Sequence, residues 1–392
     1  MSFCENRMLA QGKPHASPRY ATSRERAEWL GANGCFAALD LGTNNCRLMV
    51  AVRSGDGFRV VDSFNRTVRL GEGLQSAGVL SDDAMARTMS ALHVCAARLR
   101  QWPVRAICCV ATEACRRAAN GRAFLQRVRA ETGLDIAIIS PREEAELAMD
   151  SCGALLHANN HRRERGILFD IGGGSTEIAW LRLDRARRAQ TLTGTTSIPW
   201  GVITMAERFA APAADASDEE HAAYYEAMVR HVMTELDGFE AVHHIRREIG
   251  RSNVGMLGTS GTVTTLAGIA LNLPRYNRHA IDGIVLTDAA ALGAIDTLRA
   301  FRADGLATHP CVGSERNHYV LPGCAIFEAI HRLWPVEAVT VADRGLRDGL
   351  LFRMAREMET IGHVRSPSNV ARRTPPSSKH GVYGANSAIW GA

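Results

Sequence analysis

A chain of 392 residues, 46% hydrophobic and 22% charged, is long enough for two or three domains, and none of its apolar runs approaches the ~20 residues that cross a bilayer, which excludes an integral membrane protein. The net charge of +5 sits at the ends: residues 1–34 hold five basic and three acidic side chains, and residues 363–392 hold four basic and no acidic ones. The stretch between is close to neutral, which excludes an extended nucleic-acid surface.

Residues 1–34 carry no apolar segment and read as a disordered tail, not a secretory signal. A hairpin follows. Phe36-Ala37-Ala38-Leu39 ends at Asp40, the turn Leu41-Gly42-Thr43-Asn44-Asn45 reverses the chain, and Cys46-Arg47-Leu48-Met49-Val50 leaves. Phe58 to Phe64 reads as a third strand. Ser81, with Asp82 and Asp83 in the first turn, caps a helix toward Leu99. Ala106–Ala111 and Ile136–Ile139 read as strands around a helix at Gly121–Glu131. Ser140-Pro141-Arg142-Glu143 fits a capping box with proline at the first helical position, which assigns Glu143 to the cap and leaves Glu144 on another side of the turn.

The hairpin then recurs. Ile167-Leu168-Phe169 delivers Asp170 to Ile171-Gly172-Gly173-Gly174-Ser175, and Thr176-Glu177-Ile178-Ala179-Trp180 leaves. Period-two alternation places Ser175 and Glu177 on one face of the outgoing strand. Helices are expected near 202–209 and 218–236. Val254–Leu257 leads into Gly258-Thr259-Ser260-Gly261-Thr262 and a helix, and Ala338–Val341 precedes a last helix from about Leu346 to Glu357. Short apolar runs alternating with helices give the α/β class.

Glycine turns without Cβ atoms let backbone N–H groups point at an oxyanion, so two such turns suggest a duplicated fold closing on phosphate from both sides. Asp40 and Asp170 end strands, where open α/β sheets meet their ligands. Either could hold a divalent cation through water. Glu144 and Glu177 are carboxylates suited to work on an attacking water. Arg69, Arg116, Arg344 and Arg347 stand in glycine-rich or cap-like settings where a guanidinium could clamp phosphoryl oxygens. No P-loop is present, and Lys13 and Lys379 are the only lysines. Ten cysteines without a C-x-x-C pair, several inside apolar runs, read as reduced buried thiols of a cytosolic enzyme, not as a zinc site.

The paired hairpins resemble the acetate kinase, sugar kinase, Hsp70 and actin superfamily. Within it, Ala38–Asn44, Val68–Leu74, Ile139–Ala145, Phe169–Glu177 and Ala342–Gly349 are similar to the exopolyphosphatase and guanosine pentaphosphate phosphohydrolase family, in order, over about residues 35–357. That resemblance implies two actin-like (ribonuclease H-like) domains with a phosphate-binding cleft between them. Domain I covers 35–142 plus about 344–358 and domain II 143–343, with disordered tails at 1–34 and 359–392. The chain has no His-Asp pair and resembles the short form of the family.

By the same resemblance, Glu144 activates water, and Asp40, Asp170 and Glu177 are its acidic partners, with Asp40 and Asp170 holding Mg²⁺ or, in its place, Mn²⁺. Arg69, Arg116, Asn120 and Arg347 would contact the phosphate chain, and Gly42, Thr43, Asn44, Gly172, Gly173, Gly174 and Ser175 would supply donors. The implied substrate is inorganic polyphosphate or guanosine pentaphosphate, hydrolysed at a terminal phosphoanhydride in the cytoplasm, with no nucleic-acid or membrane partner and with a homodimer as the candidate assembly. Glu113 stands where the family has a small residue and brings negative charge to the phosphate path, which bears on substrate preference. Two alternatives share the architecture: a kinase of the superfamily, and a non-catalytic alarmone or nucleotide sensor.

Overall fold

The computed structural model describes residues 34–365, apart from 56, 158–162, 214, 252–253, 302–304, 307 and 314–315. The expected tails fall outside these residues, except for Gly34 and the end of the last helix. Two sheets lie in one compact unit that ends at Ala355.

The first sheet contains β1 (Cys35–Leu41), β2 (Asn45–Ser54), β3 (Gly57–Thr67), β4 (Val104–Ala111) and β5 (Ala137–Ile138), in the order β3-β2-β1-β4-β5. The second contains β6 (Arg165–Ile171), β7 (Thr176–Asp184), β8 (Ala189–Ile198), β9 (Val254–Thr259), β10 (Val285–Thr287) and β11 (Ala338–Ala342), in the order β10-β11-β9-β6-β7-β8. Aligning β1 with β6 makes the duplication explicit. Each of these strands pairs antiparallel with the next along the chain and parallel with β4 or β9 on its other side. This is the ribonuclease H-like plan of an actin-like domain, present twice. Both leading strands are central and read as continuous apolar runs, as burial on two faces requires.

Helices cover these sheets. In the first half, α1 (Asp82–Leu99) is capped by Ser81 Oγ, which accepts from the Ala84 N–H, and buries Leu92, Cys95 and Leu99. The short α2 (Glu113–Arg117) follows β4, and α3 (Gly121–Thr132) buries Phe124 and Val128. α4 (Pro141–Cys152) carries the expected capping box. Its Ala145, Ala148 and Cys152 pack with Leu168, Ala179, Leu181 and Leu257, so this helix lies on the second sheet. In the second half come α5 (Val202–Arg208), α6 (Asp218–His243), α7 (Gly261–Ala270), α8 (Asp288–Ala300), α9 (Asn317–Leu333) and α10 (Leu346–Arg365).

Five of these elements go beyond the expected set: α2, β8, β10, α8 and α9. β8 is a threonine-rich edge strand without an apolar face. α9 is buried over most of its length, and Pro322 inside it argues against a helix in the sequence. The nine described cysteines are buried and none is in a disulfide. Among the described residues, no helix is long and apolar enough to cross a membrane.

Candidate active site

The two glycine turns close identically. Gly42 N–H donates to Asn45 O, and Gly172 N–H donates to Ser175 O, both at 2.9 Å. In each turn the next two N–H groups, of Thr43 and Asn44 and of Gly173 and Gly174, have no acceptor among the described residues. The turns also abut. A Cβ on Gly173 would stand 3.3 Å from Asn44 Cβ, and one on Gly174 would stand 2.6 Å from Thr43 Oγ1. Glycine is therefore required at Gly174 by proximity to the other copy. Both turns open on a cleft of about 580 Å³. Backbone N–H groups converging in this way form a concave anion cradle.

Strand register makes the copies chemically unequal. Asp40 pairs across the ladder with Arg47, whereas the equivalent Asp170 pairs with Glu177. One carboxylate thus faces a cation and the other faces an acid. Asp40 is 6% exposed, and its Oδ1 finds no hydrogen-bond donor among the described residues. Burial raises its pKa against the opposing charges of Arg47 and Arg347. Asp170 lies part-exposed at the cleft. Burial of its remaining surface, then the Glu177 charge, pushes its pKa up to about 7. Glu177 is 2% exposed and accepts from Ser175 Oγ at 2.7 Å and Ser197 Oγ at 2.9 Å. Burial raises its pKa, and the two hydroxyls oppose the shift.

Glu144 completes the wall. Glu143 takes the capping role, accepting from the Ser140 N–H at 2.7 Å, and stays half-buried. One residue on, Glu144 turns inward and is 7% exposed. Burial, then Glu177, pushes its pKa well above the usual carboxylate range, with Arg116 pulling the other way. Arg116 Nη1 donates to Glu144 Oε2 at 3.2 Å and to Ile139 O at 2.7 Å, while Nε and Nη2 donate to Glu113 Oε2 at 3.1 and 2.6 Å. Burial works against the Arg116 charge, but Glu144 and Glu113 overcome it and hold the guanidinium more firmly protonated than usual.

The cleft gathers Asp40, Gly42, Thr43, Asn44, Glu144, Asp170, Gly172, Gly173, Gly174, Ser175, Glu177 and Arg347. Three of the expected residues stand apart. Asn120 is engaged elsewhere: its side-chain amide accepts from Leu80 N–H at 2.8 Å and donates to Leu80 O at 2.9 Å, tying α1 to α3. Arg69 adopts φ +48 in the loop beside the first turn and is not in the lining; its charge reaches Tyr319 instead. Arg116 is just outside the lining, bonded to Glu144, which is in it. Arg344, by contrast, lines the cleft and is paired with Asp282 at 2.9 Å.

Sequence reasoning passed over Arg47, Tyr276, Arg278, Arg316 and Tyr319, which also line the cleft. Arg47 was accessible in principle, because period two from the turn places it opposite Asp40. Tyr276 and Arg316 come from loops, Arg278 opens a one-turn helix (Arg278–Ile281) and Tyr319 stands in the first turn of α9, so no local periodicity marks them. Ser260, at φ 136, is a strained N-cap whose Oγ accepts from Val263 N–H and places α7 at the cleft edge.

The described residues contain no group of three or more His, Cys, Asp or Glu side chains able to cage a metal. The donor set nevertheless fits a hard, largely hydrated cation. Asp40 offers an unpartnered buried oxygen, Asp170 lies at the matching position, and Mg²⁺ takes one or two carboxylates plus water and phosphate oxygens.

The family model of the Ppx/GppA phosphatase family matches residues 48–358. Among solved structures, a Ppx/GppA family member from Aquifex aeolicus is 24% identical over 83% of this chain and 98% of its own, with a TM-score of 0.65. An exopolyphosphatase from Cytophaga hutchinsonii is 20% identical over 82% of this chain and 98% of its own, with a TM-score of 0.69. These likenesses show a shared fold along nearly the whole length of both structures. The family match extends from within β2 well into α10, and the chain accordingly belongs to the Ppx/GppA phosphatase family and is a phosphoanhydride hydrolase.

Proposed function

We propose that the protein releases terminal phosphate from inorganic polyphosphate or guanosine pentaphosphate, with Glu144 as the base. The observation that carries this reading is the position of Glu144: a buried carboxylate in the cleft wall, oriented by Arg116, beside two turns with free N–H donors. Its raised pKa makes it a stronger base than an ordinary glutamate. Glu144 takes a proton from water as the water oxygen attacks the terminal phosphorus. The anhydride P–O bond breaks, and the shortened chain leaves as an anion. N–H groups of Thr43, Asn44, Gly173 and Gly174 hold phosphoryl oxygens on either side of that bond. Ser175 and Ser197 fix the Glu177 carboxylate toward the attacking water. Asp40 and Asp170 would hold Mg²⁺, which supplies charge neutralisation across adjacent phosphoryl groups when bound. Buried free thiols support a reducing, cytoplasmic setting.

Phosphate release is measured with Mg²⁺ on tripolyphosphate, long-chain polyphosphate and guanosine pentaphosphate in parallel. Wild type is expected to turn over at least one, and Glu144→Gln to lose roughly 10²–10⁴-fold in kcat with little change in binding. Release undiminished in Glu144→Gln would remove Glu144 as the base. Binding without release by wild type would favour the sensor alternative.

A further inference from the structure

A further carboxylate lies outside the cleft lining but against its second glycine turn, and takes no part in the hydrolysis described above. Glu113 opens α2 immediately after β4 and is 8% exposed. A Cβ on Gly174 would stand 3.2 Å from Glu113 Cγ, so this side chain runs alongside the second glycine turn. Its charge reaches Glu177. One oxygen, Oε2, accepts from both Nε and Nη2 of Arg116, and the other lies 3.7 Å from Arg117 Nε. A guanidinium has five N–H donors. With Glu144 and Ile139 O on Nη1, four of the five on Arg116 are engaged by the protein itself. The Nε–Nη2 edge is the pair that binds a carboxylate or a phosphate in a fork. Here that edge already holds an anion, beside the turn that offers N–H groups to phosphate.

We propose that Glu113 is an internal anion that competes with substrate for Arg116 and so sets how much negative charge a substrate must bring to enter the cleft. It is a specificity-determining residue. This rests on the cleft being the phosphate site of the proposed hydrolase. Removing the charge frees the Nε–Nη2 edge for a phosphoryl group while leaving Nη1 on Glu144. Weakly charged, short substrates gain most, because a long polyanion already outcompetes one carboxylate.

The test measures binding of a slowly hydrolysed, imide-bridged tripolyphosphate by calorimetry in the full-length wild type, Glu113→Gln, Glu113→Ser and Glu113→Asp proteins, each checked for folding by circular dichroism. Both neutral variants are expected to bind about tenfold more tightly, as one freed charge-assisted contact allows. Glu113→Asp keeps the charge and is expected to stay within about twofold of wild type. With hydrolysable tripolyphosphate, KM should fall in parallel while kcat does not rise, a split that a purely structural residue would not produce.

Equal or weaker binding in the neutral variants overturns the proposal. So does loss of the folded state in both, which would assign the carboxylate to the stability of α2. Wild type that binds and hydrolyses tripolyphosphate, with unchanged affinity in the variants, overturns this proposal alone. Wild type that releases no phosphate from any substrate overturns the hydrolase reading, while a gain in binding by the neutral variants would still stand.

Discussion

Asp170 shows how one side chain carries both the chemistry and its cost. Its pKa of about 7 lies far above the ordinary range for an aspartate, because burial and Glu177 both disfavour the charged form. The folded state therefore holds a proton that the unfolded chain has released. The stability that comes with this proton is complete below pH ~4 and is lost as pH rises through about 7. In metal-free protein, Asp170→Asn should raise the melting temperature by a few °C at pH 8, with a smaller gain at pH 5. Thermal melts in EDTA at both pH values check this, and an equal effect at the two would mean Asp170 is ionised throughout. Residues of this kind were partly legible. The capping box separated Glu143 from Glu144, and strand alternation put Glu177 with Ser175, because both rules are local. The partners of Arg116 and Asn120 were not legible, since Glu144 and Leu80 lie 28 and 40 residues away in sequence.

At the scale of elements, the hairpins, α1, α4, α6 and the strands at β4, β9 and β11 could be read from apolar runs, caps and glycine turns. β8 and α9 could not, because a polar edge strand lacks contrast between its faces and Pro322 stands inside α9 where proline argues against a helix. The contact between the two turns was suggested by their likeness, but its closeness is a property of the folded chain. It yields a direct prediction. Gly174→Ala places a methyl group 2.6 Å from Thr43 Oγ1 and should destabilise the protein by about 1–3 kcal/mol. Adding Thr43→Ala removes the clashing atoms and should recover part of that loss, whereas two independent sites would add. Gly42→Ala, whose methyl would meet Asn45 O at an ordinary 3.5 Å, should cost less than Gly174→Ala. Chemical denaturation of the four variants, read as a double-mutant cycle with Gly42→Ala as control, settles whether the turns press on one another in solution.

Across the whole molecule, a near-neutral middle stretch conceals a strongly patterned cleft. Its lining sets Asp40, Glu144, Asp170, Glu177, Asp343 and Asp348 against Arg47, Arg278, Arg316, Arg344 and Arg347, and the neighbouring Arg116 is held by Glu113 and Glu144. A polyanion entering such a cleft meets more negative than positive charge, and the burial that strengthens the favourable contacts strengthens the repulsion as well. Backbone donors from two turns offer partial charges only. Substrate affinity, and not just the chemical step, should therefore depend on a divalent cation between the carboxylates and the phosphate chain. In EDTA, tripolyphosphate should bind at least about tenfold more weakly by calorimetry and phosphate release should cease, with both restored by Mg²⁺. Asp40→Asn should weaken the Mg²⁺ dependence, because it replaces the carboxylate that has the unpartnered oxygen. If the cation served the chemical step alone, binding in EDTA would match binding in Mg²⁺, and the acidic wall would have to be neutralised by protonation. In that case affinity would rise steadily as pH falls through 7, the value to which Asp170 is pushed.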